Sequence, residues 1–238
     1  MLLIDLGNTR GKLVMVSNGE LQPSVYWDYD HDIVSLLNQL NPSAIYMASV
    51  APLRIEQRII DAAVAAGIAI NRVTTEAERF GVVNGYDDYH QMGIDRWLAM
   101  IGARQLRKQA CVVVDAGTAV TIDALDHQGH HLGGWIIPGL ALMTTSLMQR
   151  SDKLNVPAAE FGVGFGFATG QAISRGALHA VAGAVEQACA LVADSVTPTP
   201  MVVVTGGDAQ TVAAALSAPT QIVPDLVFKG LRCYAEAI

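Results

Sequence analysis

Near its N-terminus the chain reads LLIDLGNTRGK at 2–12, and near its middle VVVDAGTAVTID at 112–123. Asp115 and Gly117 follow Asp5 and Gly7 by 110 positions, and Gly129 of DHQGHH follows Gly19 of VSNGEL by the same interval. Three matches in one register indicate a supersecondary unit used twice, and hence two lobes of like topology. With 238 residues, each lobe has enough chain to bury a core of its own. The expected division is 1–108 and 109–238.

In each copy a run of aliphatic residues leads into Asp-x-Gly. The run reads as a buried strand, and its end exchanges apolar side chains for hydrogen-bonding groups and backbone freedom. Two readings fit the first turn taken alone. One is a tight turn in which Gly7 supplies positive φ while Asn8 or Thr9 bonds the local backbone. The other is a ligand turn, because two such corners facing a shared cleft would set paired carboxylates where a divalent cation bridges phosphates. Periodicity and breakers predict strands near 1–8, 11–17, 22–29, 44–50, 68–73, 111–115, 118–125, 131–137 and 201–205. Helices are predicted near 32–40, 53–66, 93–108, 139–150, 170–194, 208–217 and 225–237, with irregular chain between 73 and 93 and a connector at 195–200.

The interior implied is α/β, since 51% of residues are hydrophobic but only 6% aromatic. Cys111, Cys189 and Cys233 are odd in number and set among apolar neighbours, so they read as reduced core residues of a cytoplasmic protein. Asp5 interrupts the first apolar run, against a signal peptide. Gly and Pro break up Leu132–Met148, which fits strand, turn and helix better than a membrane span. Net charge is −7, from 22 acidic and 15 basic residues scattered along the chain. No basic face for nucleic acid is expected, and no membrane partner. An anionic ligand must be held by local devices: glycine-rich backbone, a helix N-terminus, a metal ion or a few placed cations.

Six motifs stand in order: DLGNTRGK at 5–12, GIDR at 93–96, DAGTAVTID at 115–123, GGWIIPG at 133–139, TGQAISRG at 169–176 and TGGD at 205–208. Together they resemble the type III pantothenate kinases, members of the superfamily of acetate and sugar kinases, heat-shock chaperones and actin. The resemblance covers almost the whole chain. It implies two similar actin-like (ribonuclease H-like) lobes with a nucleotide cleft between them. The implied enzyme is a transferase that phosphorylates pantothenate to 4'-phosphopantothenate in coenzyme A biosynthesis. ATP with Mg2+, a monovalent cation (K+ or NH4+) and a homodimer are also implied.

Site residues follow from the same resemblance. Asp5, Leu6, Gly7, Asn8, Thr9, Arg10, Gly11 and Lys12 would bind the ATP phosphates, with Asp5 on the metal side. Their chemistry suits this, as Gly7 permits close backbone approach and Lys12 brings a mobile positive charge. Thr118 matches an ATP contact and Asp115 the monovalent-cation site. Gly93, Ile94, Asp95 and Arg96 match the substrate motif: Asp95 suits the base that takes the acceptor's proton, and the planar fork of Arg96 suits the pantothenate carboxylate. Tyr86 and Thr169 match further substrate contacts. Without the resemblance, Asp95 and Arg96 also fit ordinary helix-start residues, and Gly206 and Gly207 fit either an adenosine contact or a plain strand-helix turn.

Other features point elsewhere or stay open. FGVGFGFATG at 161–170 does not satisfy G-x-G-x-x-G and has no apolar strand leading in, which excludes a dinucleotide fingerprint. Its glycines leave Thr169 room to move. His127, His130 and His131 read as exposed turn residues rather than a metal site. The small-residue helix at 179–193 suits an intersubunit surface or core. Two rival functions remain: a sister kinase for another hydroxy acid or sugar, and a non-catalytic regulator of the Bvg accessory factor kind.

Overall fold

The computed structural model describes residues 1–149, 159–193 and 200–237. Two compact units result: Met1–Phe80 with Tyr86–Gln105 and Val227–Ile238, and Gly81–Gly85 with Leu106–Leu226. In the first unit the strands are β1 (Leu2–Leu6), β2 (Arg10–Ser17), β3 (Glu20–Leu21), β4 (Val25–Asp28), β5 (Ala44–Ser49) and β6 (Ala69–Arg72). They form one sheet in the order β3-β2-β1-β5-β6, with β4 also pairing β2. The antiparallel β1–β2 hairpin sets Asp5 opposite Lys12 and Leu6 opposite Gly11, while β5 runs parallel to β1. Strand β1 sits between two neighbours, which is why its aliphatics form a continuous buried run.

Helix α1 (Ile33–Leu40) starts where Asp32 accepts the Val34 and Ser35 backbone N–H groups, and it stops at Asn41, which is left-handed. Helix α2 (Leu53–Ala65) follows Pro52. Side chains from α1 and α2, including Leu37 and Ile59, pack with Leu2, Ile4 and Trp27 in one core. Two short strands, β7 (Glu78–Arg79) and β8 (Val82–Val83), and a 3-10 turn at Tyr89–Gln91 occupy the stretch read as irregular, before α3 (Ile94–Leu106).

The second unit repeats the design. Strands β9 (Cys111–Ala116), β10 (Ala119–Leu125), β11 (His131–Pro138), β12 (Met201–Thr205) and β13 (Thr220–Ile222) take the order β11-β10-β9-β12-β13. Helix α4 (Leu140–Gln149) packs on α5 (Thr169–Ala193), and α5 lies on β9 and β10. By length and composition α5 suffices to cross a membrane, and in this unit Leu178, Val181 and Val185 of it enter the core beside Val112, Val114 and Ile122. Leu132–Met148 divides into strand and helix, and the three cysteines are free, with Cys111 and Cys189 buried. The chain closes with α6 (Ala209–Ala213) and α7 (Leu226–Glu236).

Several sequence expectations are corrected. The strand expected at 22–29 shortens to β4, Val25–Asp28: residues 22–24 stay outside the ladder and include Pro23, which has no N–H to give it, while the short β3 precedes them. The helix expected at 208–217 ends at Ala213, and β13 follows it unannounced. The helix ends expected at 150 and 194 and all of the connector at 195–200 except Pro200 lie outside the described residues. His131 is not an exposed turn residue: it is 4% exposed at the start of β11, with Nε2 2.9 Å from Asp123 Oδ1.

Candidate active site

In the first unit, the candidate side chains gather at the C-terminal end of the central strands. Asp5 is half-buried one residue before the end of β1, and the turn after it closes through the Gly7 N–H donating to the Arg10 carbonyl at 3.2 Å. Asn8, Thr9 and Arg10 stand exposed at the tip. Leu6 and Gly11 are buried, and a methyl group on Gly11 would meet Leu6 at 3.1 Å and Trp27 at 3.2 Å. The Lys12 ammonium lies 5.3 Å from the centre of the Phe228 ring. Behind the turn the Tyr29 hydroxyl donates to the Gly7 carbonyl. Burial, and then the charge of Asp5, push that hydroxyl up to about 12.

The same strand end adjoins the start of α3. The Leu6 carbonyl accepts the Val50 N–H at 2.9 Å. Ser49 and Val50 line a cavity of about 330 Å³ with Thr74, Thr75, His90 and Gly93. The Ser49 hydroxyl is buried with no hydrogen-bond partner among the described residues, which is the state of a polar atom facing a ligand space. Gly93 is followed by α3, whose second residue is the half-buried Asp95. Asp95 Oδ1 accepts the Arg96 N–H at 2.8 Å, an orphan donor of the first turn. A methyl group on Gly93 would stand 2.5 Å from that oxygen, so glycine clears the space the carboxylate occupies. Arg96 is 4% exposed and donates through Nη1 to the Tyr86 hydroxyl at 2.7 Å. Two residues expected to touch one substrate are thus bonded to each other.

In the second unit Asp115 holds the place in β9 that Asp5 holds in β1. It pairs with Thr121 on one side and Thr205 on the other. Gly206 follows Thr205 with φ +95°, and a Cβ there would lie 2.4 Å from the Ala116 carbonyl oxygen and 2.5 Å from Asp115 Oδ1. The Asp208 N–H donates to the Ala116 carbonyl at 2.9 Å, and burial raises the Asp208 carboxyl above the usual carboxylate range. Thr118 is exposed at the tip of the Gly117 turn, and its carbonyl accepts the Gly139 N–H at 3.0 Å. Gly139 cannot carry a side chain, because a Cβ would overlap the carbonyls of Gly117 and Thr118. GGWIIPG therefore ends in glycine to support the turn.

Thr169 begins α5 and lines a cavity of about 600 Å³ with Pro138, Met143, Ser146 and Ile173. Four side chains of α5 tie the glycine-rich segment ahead of it. Gln171 accepts the Phe167 N–H, Ser174 donates to the Ala159 carbonyl, Arg175 to the Phe165 carbonyl, and His179 accepts the Gly164 N–H. These ties offset the freedom that its glycines give the segment.

Each unit thus presents a carboxylate at the end of its central strand beside an open glycine turn. Hard oxygen donors of this kind suit a magnesium ion, and exposed turn backbone suits phosphate oxygens. No cluster of three metal-ligating side chains occurs among the described residues, so phosphate oxygens or water would complete a cation's shell.

The family model for type III pantothenate kinase matches residues 1–191. The chain belongs to the type III pantothenate kinase family. A type III pantothenate kinase of Idiomarina loihiensis is 35% identical over 269 residues, covering 99% of this chain and 98% of that one. Another, from Chromobacterium violaceum, is 38% identical over 235 residues, covering 97% of each. Among solved structures, a Baf family protein of Campylobacter jejuni superposes with TM-score 0.65 at 23% identity, covering 100% of this chain and 98% of that one. A Sinorhizobium meliloti protein described as a 2-dehydro-3-deoxygalactonokinase gives TM-score 0.59 at 12% identity, covering 99% and 98%. The fold is that of the actin-like kinases, as the duplicated Asp-x-Gly pattern leads one to expect of this family. Sequence reasoning missed Ser49, Thr75 and His90 at the cavity, because none belongs to a motif and each reaches it through the fold.

Proposed function

We propose that this protein transfers the γ-phosphoryl group of ATP to the primary hydroxyl of pantothenate, the first step of coenzyme A synthesis. Family membership over nearly the full chain supports the reaction class. The observation that carries the site assignment is the start of α3, where Gly93 leaves room for the Asp95 carboxylate next to a cavity of about 330 Å³. Pantothenate would enter that cavity with its hydroxyl toward Asp95 and its carboxylate toward the Arg96 fork. Tyr86 fixes that fork by taking one of its N–H groups, and Thr169 supplies a further substrate contact.

Asp95 accepts the hydroxyl proton as the alcohol oxygen bonds to the γ-phosphorus. The bond from that phosphorus to the bridging oxygen breaks, and ADP leaves. Residues 5–12 and Thr118 hold the phosphates by backbone N–H groups, hydroxyls and the Lys12 charge. Asp5 would hold a Mg2+ ion, which would supply positive charge to offset that of the phosphates. Asp115 would hold a K+ or NH4+ ion. Most of the rate gain is assigned to positioning and charge stabilisation rather than to proton transfer.

A homodimer belongs to this reading. The second unit leaves Leu132, Ile136, Leu142, Leu147, Phe165 and Phe167 exposed, apolar side chains that a second copy would cover. The deciding assay couples ADP release to added pantothenate with magnesium and potassium or ammonium. Turnover is expected to require all three, and Asp95→Asn is expected to lose about 100-fold or more in kcat while retaining ATP affinity. Phosphorylation of a sugar but not pantothenate would assign a sister kinase instead. Salt-dependent DNA binding without ATP consumption would assign a regulator.

A further inference from the structure

The helix that carries Asp95 is gripped on both sides of that residue by two adjacent side chains outside every motif. Thr75 is buried, and its hydroxyl donates to the Met92 carbonyl at 3.0 Å, just before Gly93. Its neighbour Glu76 accepts the Tyr234 hydroxyl at 2.8 Å. That same hydroxyl accepts the Trp97 Nε1–H at 2.9 Å. Trp97 is fully buried in the first turn of α3, and its backbone N–H donates to the Gly93 carbonyl at 3.1 Å. One grip falls three residues before Asp95 and the other two residues after it. Tyr234 stands in α7, beyond residue 191 where the family match ends.

We propose that Thr75 and Glu76 are positioning residues for the Asp95 carboxylate, Thr75 through the Met92 carbonyl and Glu76 through Tyr234 and Trp97. The proposal rests on the assignment of Asp95 as the base. The space left for its carboxylate explains why backbone placement matters. A methyl group on Gly93 would already stand 2.5 Å from Oδ1, so a shift of the 92–93 backbone changes where that oxygen can rest. Misplacement of a reacting group by about 1 Å costs on the order of 100-fold in rate. Removing the Thr75 hydroxyl takes one buried donor from the Met92 carbonyl and so loosens the hold on the 92–93 backbone.

The test is a cycle of Thr75→Val and Asp95→Asn in the full-length protein, read by kcat, KM for ATP and thermal melting. Thr75→Val is expected to lower kcat about tenfold, inside the range a displaced reacting group gives, with KM for ATP unchanged. Thr75→Ser keeps the hydroxyl and is expected to restore the rate. In the Asp95→Asn background the same Thr75→Val change is expected to cost less than about twofold, since no base remains to be displaced. Tyr234→Phe removes the other grip and is expected to repeat the pattern, and it carries the test should Thr75→Val not fold. Equal losses in both backgrounds, or unchanged kcat in the folded single variants, overturn the proposal. Full turnover by Asp95→Asn overturns the base assignment itself, a result distinct from an inactive Asp95→Asn beside a fully active Thr75→Val.

Discussion

A methyl group at Gly93 or at Gly206 would stand 2.5 Å from a carboxylate oxygen, Asp95 Oδ1 in one case and Asp115 Oδ1 in the other. The two positions nevertheless differ in kind. At Gly93 the obstacle is the tip of a side chain, and its backbone is not in the left-handed region. Gly93→Ala is therefore expected to fold, shift the Asp95 carboxylate and lower kcat about tenfold or more with KM for ATP unchanged. At Gly206 the backbone has φ +95° and the Ala116 carbonyl oxygen would lie 2.4 Å away. Gly206→Ala is expected to lose about 1–3 kcal/mol of stability in denaturant titrations, from strain and a clash that no side-chain rotation relieves. Motif residues such as Asp5, Asp95 and Asp115 were legible in the sequence because their chemistry stands at fixed local spacing. Thr75, Glu76 and Tyr234 were not, since Tyr234 meets Trp97 across 137 positions and Glu76 across 158.

Helices α3 and α7 approach each other backbone to backbone. A Cβ on Gly230 would come within 2.1 Å of the Leu98 carbonyl oxygen, so Gly230 has no room for any side chain. Gly230→Ala must push α7 off α3, and it is expected to cost about 2 kcal/mol, seen as a melting point lower by roughly 4–8 °C in a chain of this size. Apolar periodicity made most strands and long helices legible. It failed where the apolar signal is thin: β13 is Thr220–Ile222, with one aliphatic residue, and it is a strand because it pairs with β12. His131 looked like turn chemistry because it ends the string DHQGHH, yet its place opposite Leu125 in the ladder buries it beside Asp123.

Across the whole chain, the duplication is real in topology but its interval of 110 hides two compensating changes. The first hairpin turn holds four residues, 7–10, in one unit and three, 117–119, in the other, as the pairings Leu6–Gly11 and Ala116–Val120 require. The chain between the matching ladder pairs Val16–Leu21 and Leu125–His131 then lengthens from four residues to five, with a register shift between Ala124 and Leu125. Gly19 and Gly129 return to register with positive φ in both. The sequence could not reveal that 227–238 close the first unit and 81–85 join the second, because local patterning carries no information on which distant segments meet. This arrangement places two half-buried tyrosines, Tyr29 and Tyr234, in the first unit. Burial is the largest cause raising both hydroxyls, with Asp5 adding for Tyr29, and the Tyr29 group moves from 10.0 to about 12. A raised folded pKa contributes stability that is present in full below the unfolded value and lost as pH rises through the folded one. Unfolding midpoints in urea are therefore expected to fall from about pH 10 upward, as ionised Tyr29 can no longer donate to the Gly7 carbonyl. Tyr29→Phe should flatten the part of that fall that ends near pH 12 and leave the part belonging to Tyr234. An unchanged alkaline slope in Tyr29→Phe would mean that this hydroxyl does not support the Gly7 turn.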